Sequence, residues 1–498
     1  MKRKLTLALL AAVALASCNP HDDDYYIPED ASSFTEISST TVGAEGAAEI
    51  TAYDPLTKKL FIVTNSGGNT RIDVLNIADP ANPGSAGFID IAPYGGGVNS
   101  VAVSEGKVAA AVEGFTKTDP GKVVVFKTTD YALVKQVKVG ALPDMITYTH
   151  DVKYILTANE GEPNDTYTVD PMGTVSIIGV QQNYAVTTLD FGSFAGQAAF
   201  LKSKGLRIYG PNASFAQDIE PEYLTISYDS KTAWVTLQEN NAIAKIDIRS
   251  RKITNIFPLG FKNYNLAANA IDPSDRNGGY ITAPWAVKGM YEPDAIAVLE
   301  KYGTPYLFTA NEGDAREYSA FAEIKRVKDI ALDATAFPDA TLKTDAKLGR
   351  LNVTTTLGDT DGDGDFDELY SLGSRSFSVW NGFTGQQIFD SKNELDQKCF
   401  TAGLYDEARS DDKSVEPEGV TLGLVGRKEI AFVGMERADA LAIYDVSNPA
   451  HPVFIKLLAT GDAPEGITFI PAQKSPVGKS LVVVSSENDG VVKIYKTN

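Results

Sequence analysis

Carboxylates recur at fixed points of a loosely repeated pattern. Asp144, Glu222, Asp294, Glu418 and Glu465 each open a short apolar run, and Glu160, Glu239, Glu312, Glu436 and Glu487 each close the run that follows. A weaker copy runs from Asn99 to Glu113, and a first from about Glu45 to Asn65. Like charges brought together repel and raise one another's pKa, so cations, backbone N–H groups or basic side chains must stand between them. Taken singly, each Glu is expected to tie down its own loop. Taken together, Glu160, Glu239, Glu312, Glu418, Glu436 and Glu487 are expected to contribute to a ligand or cation site, joined by Arg316, Arg375 and Asp412 from the loops.

The connecting segments are acid-rich. Asp218-Ile219-Glu220 precedes Pro221, and Asp411-Asp412-Lys413 precedes Glu416. Asp218, Glu220, Glu222, Asp294 and Lys413 are therefore the candidate catalytic residues. The acids could hold a metal-bound water for phosphoester chemistry, or acids and bases could simply pair. No nucleophile is identified.

The most specific local motif is Asp359-Thr360-Asp361-Gly362-Asp363-Gly364-Asp365-Phe366-Asp367-Glu368-Leu369-Tyr370. Alternating oxygen ligands around a tight glycine turn suit calcium. Asp359, Asp361, Asp363, Asp365 and Asp367 fall at odd positions, with Gly364 sixth, as in an EF-hand or dockerin loop. Position twelve is Tyr370 where an EF-hand has Glu, so Glu368 or water is expected to substitute. The alternative is a solvated acidic turn. Calcium, the expected cofactor, would order the surrounding insertion.

Short β-rich runs with turns between them must position these groups. The repeats number seven, and units that cannot bury their faces alone indicate a propeller or solenoid. The last unit has three strands, near 466–470, 480–486 and 491–495, and then the chain ends. The stretch 34–42 can supply the fourth and remove an open edge. The expected fold is all-β: a seven-bladed propeller over 34–498 closed by an N-terminal strand, with large loops on one face. Two smaller β domains are the alternative. Long connections fall at 191–220, which includes an expected helix at 195–203, and at 258–292 and 390–417. An insertion at 317–372 separates strands two and three of unit five and carries the acidic loop. Loops on a rigid scaffold are where binding concentrates.

The N-terminus reads as an address. Lys2, Arg3 and Lys4 precede an uncharged apolar run over 5–16, too short to span a bilayer. Leu15-Ala16-Ser17-Cys18 looks like a lipobox. Residues 1–17 are then a signal peptide, Cys18 is lipidated, and 18–33 form the attachment and flexible spacer. The acidic residues after Cys18 resemble a surface-export signal of Bacteroidetes lipoproteins. A Gram-negative outer-membrane or cell-surface lipoprotein follows, touching the membrane only through its anchor. The one other cysteine, Cys399, leaves no internal disulfide once Cys18 is acylated and is expected to be inert. The net charge of -20 argues against nucleic acid. A monomer is expected.

Longer strings carry a family resemblance: Thr157-Ala158-Asn159-Glu160-Gly161-Glu162, Arg207-Ile208-Tyr209-Gly210-Pro211, Asp218-Ile219-Glu220-Pro221-Glu222, Val287-Lys288-Gly289-Met290-Tyr291-Glu292-Pro293-Asp294, Arg375-Ser376-Phe377-Ser378 and Arg409-Ser410-Asp411-Asp412-Lys413. Over about residues 37–496 the chain resembles the choice-of-anchor I family of secreted, propeller-like proteins, and more distantly phytase-like and surface-layer propellers. The resemblance implies a surface domain, and some relatives carry phosphatase-like labels. This chain departs from phosphatases in having no Asp-Ser-Ala nucleophile motif, histidine cluster or HxGxRxP string. The leading reading is a calcium-stabilised module whose mouth binds an extracellular polymer or protein. The alternative is a calcium-dependent phosphoesterase using metal-bound water, and a structural role is a third possibility.

Overall fold

A computed structural model describes residues 28–498. The expected signal peptide, Cys18 and the first part of the spacer expected over 18–33 lie outside the described residues. The fold is all-β with a propeller-type architecture of small antiparallel sheets. Seven sheets have four strands each, and three smaller ones sit in the long loops.

Six of the four-stranded sheets take their strands in chain order, beginning with Ala47–Asp54, Val98–Ser104, Pro143–Tyr148, Leu224–Ile226, Ile296–Lys301 and Pro417–Val425. The seventh combines Pro464–Ile470, Leu481–Ser486 and Val491–Lys496 with the N-terminal strand Thr35–Thr41, which pairs antiparallel with Val491–Lys496. The first strand of each sheet packs on the first strand of the next, and that of the seventh packs on Ala47–Asp54.

Burial follows strand position. Second strands lie between neighbours on both sides and read as continuous apolar runs: Leu481–Ser486 is buried throughout, as is Lys107–Val112 after its first residue. Fourth strands form the outer edges. Leu133–Ala141 alternates in exposure and carries Lys135 and Lys138, charges that discourage pairing with another chain.

The long connections form a second layer with its own core. The strands Phe261–Asn263, Lys288–Met290 and Tyr370–Ser371 form one sheet, joining the connection after sheet four to the insertion in sheet five. Beneath them Tyr264, Ile271, Val327, Leu348, Leu351 and Leu369 pack together. The insertion connects the second and third strands of sheet five, Thr304–Asn311 and Ser376–Asn381.

Where a helix is expected at 195–203, a 3-10 turn at Gly192–Gln197 leads into a short α-helix, Ala198–Lys202. The connection 390–417 holds a further helix, Glu394–Ala402, stopped by Gly403 in the left-handed region at φ 73°. Its Cys399 is fully buried with its Sγ 3.6 Å from the Met435 sulfur, and burial pushes the thiol pKa far up. Trp234 and Trp380 are core residues.

The N-terminal strand joins the seventh sheet in a defined direction. Thr41 pairs with Val491, which also pairs with Ser486, the partner of Pro464 beside Glu465. Thr35 pairs with Lys496 at the opposite end, where Glu29 accepts a hydrogen bond from Ser480 N at 2.7 Å. Residues 28–34 therefore lie at the end of the sheets away from the carboxylates. Among the described residues, no helix is long and apolar enough to cross a membrane.

Candidate functional site

A recurring backbone irregularity aims the carboxylates inward. In five of the first strands the register slips by a bulge at the same place: between Ala47 and Thr51, Val98 and Ser100, Pro143 and Ile146, Pro417 and Val420, and Pro464 and Ile467. A bulge bends the strand and re-aims a side chain. The residues inside these slips include Glu49, Asn99, Asp144, Glu418 and Glu465. Sheets four and five reach the same outcome just before their first strands, with Glu222 N bonded to Thr236 O and Asp294 N to Ala310 O, each at 3.1 Å.

Asp144, Glu222, Asp294, Glu312, Glu418 and Glu465 converge on one cavity of about 110 Å³, with Asn99 and Ile50 also in its wall. Oxygens of Asp294, Glu312 and Glu418 lie within 4.8 Å of one another. Burial and then mutual repulsion raise the pKa of Glu222, Asp294, Glu418 and Glu465 well above the carboxylate range. Asp144 is raised to about 7 by burial and the nearby Glu162. Glu49 is raised to about 8 by burial and Glu487. The Oε2 atoms of Glu222, Glu418 and Glu465 are buried without a hydrogen-bond partner.

Glu49 was not expected here. It occupies in sheet one the place Glu465 occupies in sheet seven, and the signal was available: Ala48-Glu49-Ile50 repeats the small-acid-apolar order of Pro143-Asp144-Met145.

The carboxylates at the second-strand ends divide. Glu312 lines the cavity and is held from behind by Gln238 Nε2 at 3.0 Å and Lys413 Nζ at 2.6 Å. Lys413 also lies 3.2 Å from Glu416 Oε2. Burial lowers the Lys413 pKa, but Glu312 and Glu416 outweigh it and the ammonium titrates well above its usual range. Lys413 is thus held as a cation between the two carboxylates. Glu436 pairs with Arg437 at 2.9 Å and is raised to about 8, by burial and then Glu312. Glu160 and Glu239 are pushed well up, first by burial. Glu113 and Glu487 are raised by burial and remain partly exposed.

Asp218 and Glu220 do not line the cavity. Both are buried against Arg316, whose NH1 is 2.5 Å from Asp218 Oδ1 and whose NH2 is 2.8 Å from Glu220 Oε2. Beside them lies an arginine that sequence reasoning missed as a structural centre. Arg207 is buried between Glu292 and Glu323, carboxylates from two other connections. Tyr209 joins the two clusters: both guanidinium groups lie over its ring, at 4.1 and 4.5 Å, and its hydroxyl donates to Glu323 Oε1 at 2.7 Å. Arg375 donates to the carbonyls of Asp272, Ser410 and Asp412 at 2.8–2.9 Å. These groups clamp the loops together.

Directly behind Glu312, a recess of about 510 Å³ opens among the loops. Lys325, Arg326, Arg409, Lys413 and Arg437 line it together with Asp412 and Glu416. Asp412 bonds Arg409 NH2 at 2.7 Å and Asn352 Nδ2 at 3.1 Å.

The acidic loop folds as a tight coil. Asp359 accepts backbone N–H groups from Gly362 and Gly364 at 2.7 and 3.1 Å, and Asp367 accepts from Thr360 N at 2.8 Å. Asp359, Asp361 and Asp367 present oxygens within 4.8 Å of one another, as do Asp333, Asp365 and Asp367. Asp363 accepts from Asp365 N at 3.1 Å and belongs to neither group. Asp333 was not foreseen, being brought in from a distant part of the insertion. Glu368 does not complete the coil: it pairs with Lys288 at 2.7 Å and with the Tyr370 hydroxyl.

A 185-residue stretch is 29% identical to Gigasin-3a of Magallana gigas, covering 30% of this chain and 65% of that protein. A 348-residue stretch is 24% identical to the mesenchyme-specific cell surface glycoprotein of Strongylocentrotus purpuratus, covering 58% of this chain and 44% of that protein. The chain thus spans less than two thirds of either relative. Among solved structures, the Cps50 (Swd1) beta-propeller domain of Myceliophteria thermophila aligns over 93% of this chain and all of its own, at 9% identity and a TM-score of 0.46. The model of the choice-of-anchor I domain matches residues 49–449, and the chain belongs to that family.

Proposed function

We propose that this protein is an exported, lipid-anchored, seven-bladed propeller that binds a charged extracellular ligand, polymer or protein at its loop-covered mouth. The seven four-stranded sheets are read as the blades, with Thr35–Thr41 as the strand that closes the ring. Family membership, the leader and the cell-surface name of one relative support a surface location. An anchor at Cys18 would attach at the end of the ring away from the carboxylates. The mouth would then face outward.

The recess beside Glu312 carries the reading. It presents basic and acidic groups side by side on loops clamped by Arg207 and Arg316, so its shape is set before a ligand arrives. Calcium held at Asp359, Asp361 and Asp367 would order the insertion that forms one wall. A second reading, calcium-dependent phosphoester hydrolysis, draws on the closeness of Asp294, Glu312 and Glu418 to the cationic side chains of this recess.

The test is retention of the protein on a panel of extracellular polysaccharides and matrix proteins, compared with Arg409→Ala/Arg437→Ala. A ligand held by the wild type and lost by the variant supports the proposal. Binding indifferent to the variant, or no binding across the panel, counts against it. Calcium-dependent turnover of p-nitrophenyl phosphate would favour the hydrolase.

A further inference from the structure

We propose that the axial cavity is a second, separate cation site, in which Asp294 and Glu418 hold a hydrated calcium-type ion and Glu222 and Glu465 reach it through water. This deepens the ligand-binding reading and rests on it only for the use of this mouth.

Four sheets supply these four side chains, so an ion here would link the propeller across its axis. Calcium–oxygen distances near ~2.4 Å place two ligands on opposite sides of one ion about 4.8 Å apart. The oxygens of Asp294, Glu312 and Glu418 fall within that span. The independent observation is the state of three other oxygens. Oε2 of Glu222, Glu418 and Glu465 is buried in each case and meets no hydrogen-bond donor. Buried carboxylate oxygens are nearly always satisfied in folded proteins, and a cation is the partner that satisfies several at once.

Among the described residues lining the cavity there is no Lys, Arg or His. The Lys413 ammonium is engaged by Glu312 and Glu416 on the far side. Oxygen ligands without His or Cys select a hard ion of the calcium or magnesium type. The cavity of about 110 Å³ exceeds the ~30 Å³ share of one water and admits an ion with a few waters. Ligands delivered by separate sheets suit calcium's tolerant geometry better than the strict octahedron of magnesium. The acidic coil at Asp359–Asp367 differs, since its carboxylates already accept backbone N–H groups.

The experiment titrates calcium into chelator-stripped protein by calorimetry, with thermal melts alongside. Three proteins are compared: wild type, Asp361→Asn/Asp365→Asn in the insertion, and Glu222→Gln/Glu418→Gln in the channel. The insertion variant should still bind one calcium and melt higher when it does. The channel variant should lose that event or bind at least tenfold more weakly. It should also melt above wild type in chelator, because two buried, mutually repelling acids have become neutral. Unchanged calcium affinity in the channel variant overturns the proposal. If that variant does not fold, the insertion variant decides alone: no calcium bound by it overturns the proposal. Failure of Arg409→Ala/Arg437→Ala to affect ligand binding would sink the mouth-binding reading while leaving this result in place.

Discussion

Replacing Arg207 with Met should release the loop layer without unfolding the sheets. Arg207 is 1% exposed, and the two carboxylates it meets, Glu292 and Glu323, are fully buried. Removing one member of such a group leaves uncompensated buried charge and costs about 3–5 kcal/mol. Burial pushes Glu292 up to about 8 even with Arg207 beside it, so that acid can relieve part of the strain by taking a proton. Glu323 is different. Burial raises it, but Arg207, Thr354 and Tyr209 more than offset that and hold it below the usual range, so it loses its main counter-charge. The lower figure, about 3 kcal/mol, is therefore the expected cost, and it corresponds to about a hundredfold faster local opening. Hydrogen exchange followed by mass spectrometry is the assay. Peptides from 207–220, 288–292 and 316–326 should exchange about a hundredfold faster, while those from Lys107–Val112 and Leu481–Ser486 stay protected. The surface pair Arg71–Asp73, 28% and 15% exposed, supplies the control: Arg71→Ala should shift exchange by less than about tenfold. Adding Glu292→Gln and Glu323→Gln to Arg207→Met should restore part of the protection. A loop change below tenfold, or equal acceleration in loops and sheets, would refute the clamp.

Other outcomes follow from the same geometry. Lys413→Met takes the cationic partner from Glu312, while Glu416 keeps Arg409, and should lower the melting temperature in chelator by a stability loss of about 3 kcal/mol. In chelator the protein should also melt lower as pH rises. Burial raises Asp144 to about 7 and Glu49 to about 8, so the folded state holds protons that the unfolded chain has released; stability present below about pH 4 is lost as pH climbs through 7–8, and a melting temperature flat from about pH 5 to 8 would contradict this. Chelation should speed proteolysis within 312–375, and equal digestion with and without calcium would count against a structural ion at the acidic coil. Cys399 should resist thiol reagents until the protein is denatured, since it is fully buried; rapid labelling of the native form would show that helix Glu394–Ala402 opens.

The repeat was legible in the sequence because its signal is local. An acid opening an apolar run and a Glu closing the next one recur often enough to be read without coordinates, and six of the acids so marked line one cavity. Glu49 escaped because its copy lacks the preceding proline and the first unit was started at Glu45. Arg207 escaped for a physical reason: its partners lie 85 and 116 residues away, and a buried ion pair between loops leaves no periodicity. The same limit explains Asp218 and Glu220. Their clustering was visible, but not that Arg316, almost 100 residues on, neutralises them. Helix Glu394–Ala402 did leave a trace, with Glu394 and Asp396 in its first turn and Gly403 at its end.

The carboxylate-lined mouth is proposed to hold a cation. This is tested most directly by a crystal structure grown with calcium, with data collected for the anomalous signal of the ion. An anomalous peak is expected in the axial cavity, bonded to Asp294 and Glu418, in addition to any at Asp359–Asp367. Calcium confined to the acidic coil, with the cavity carboxylates bonded only to water, would contradict it.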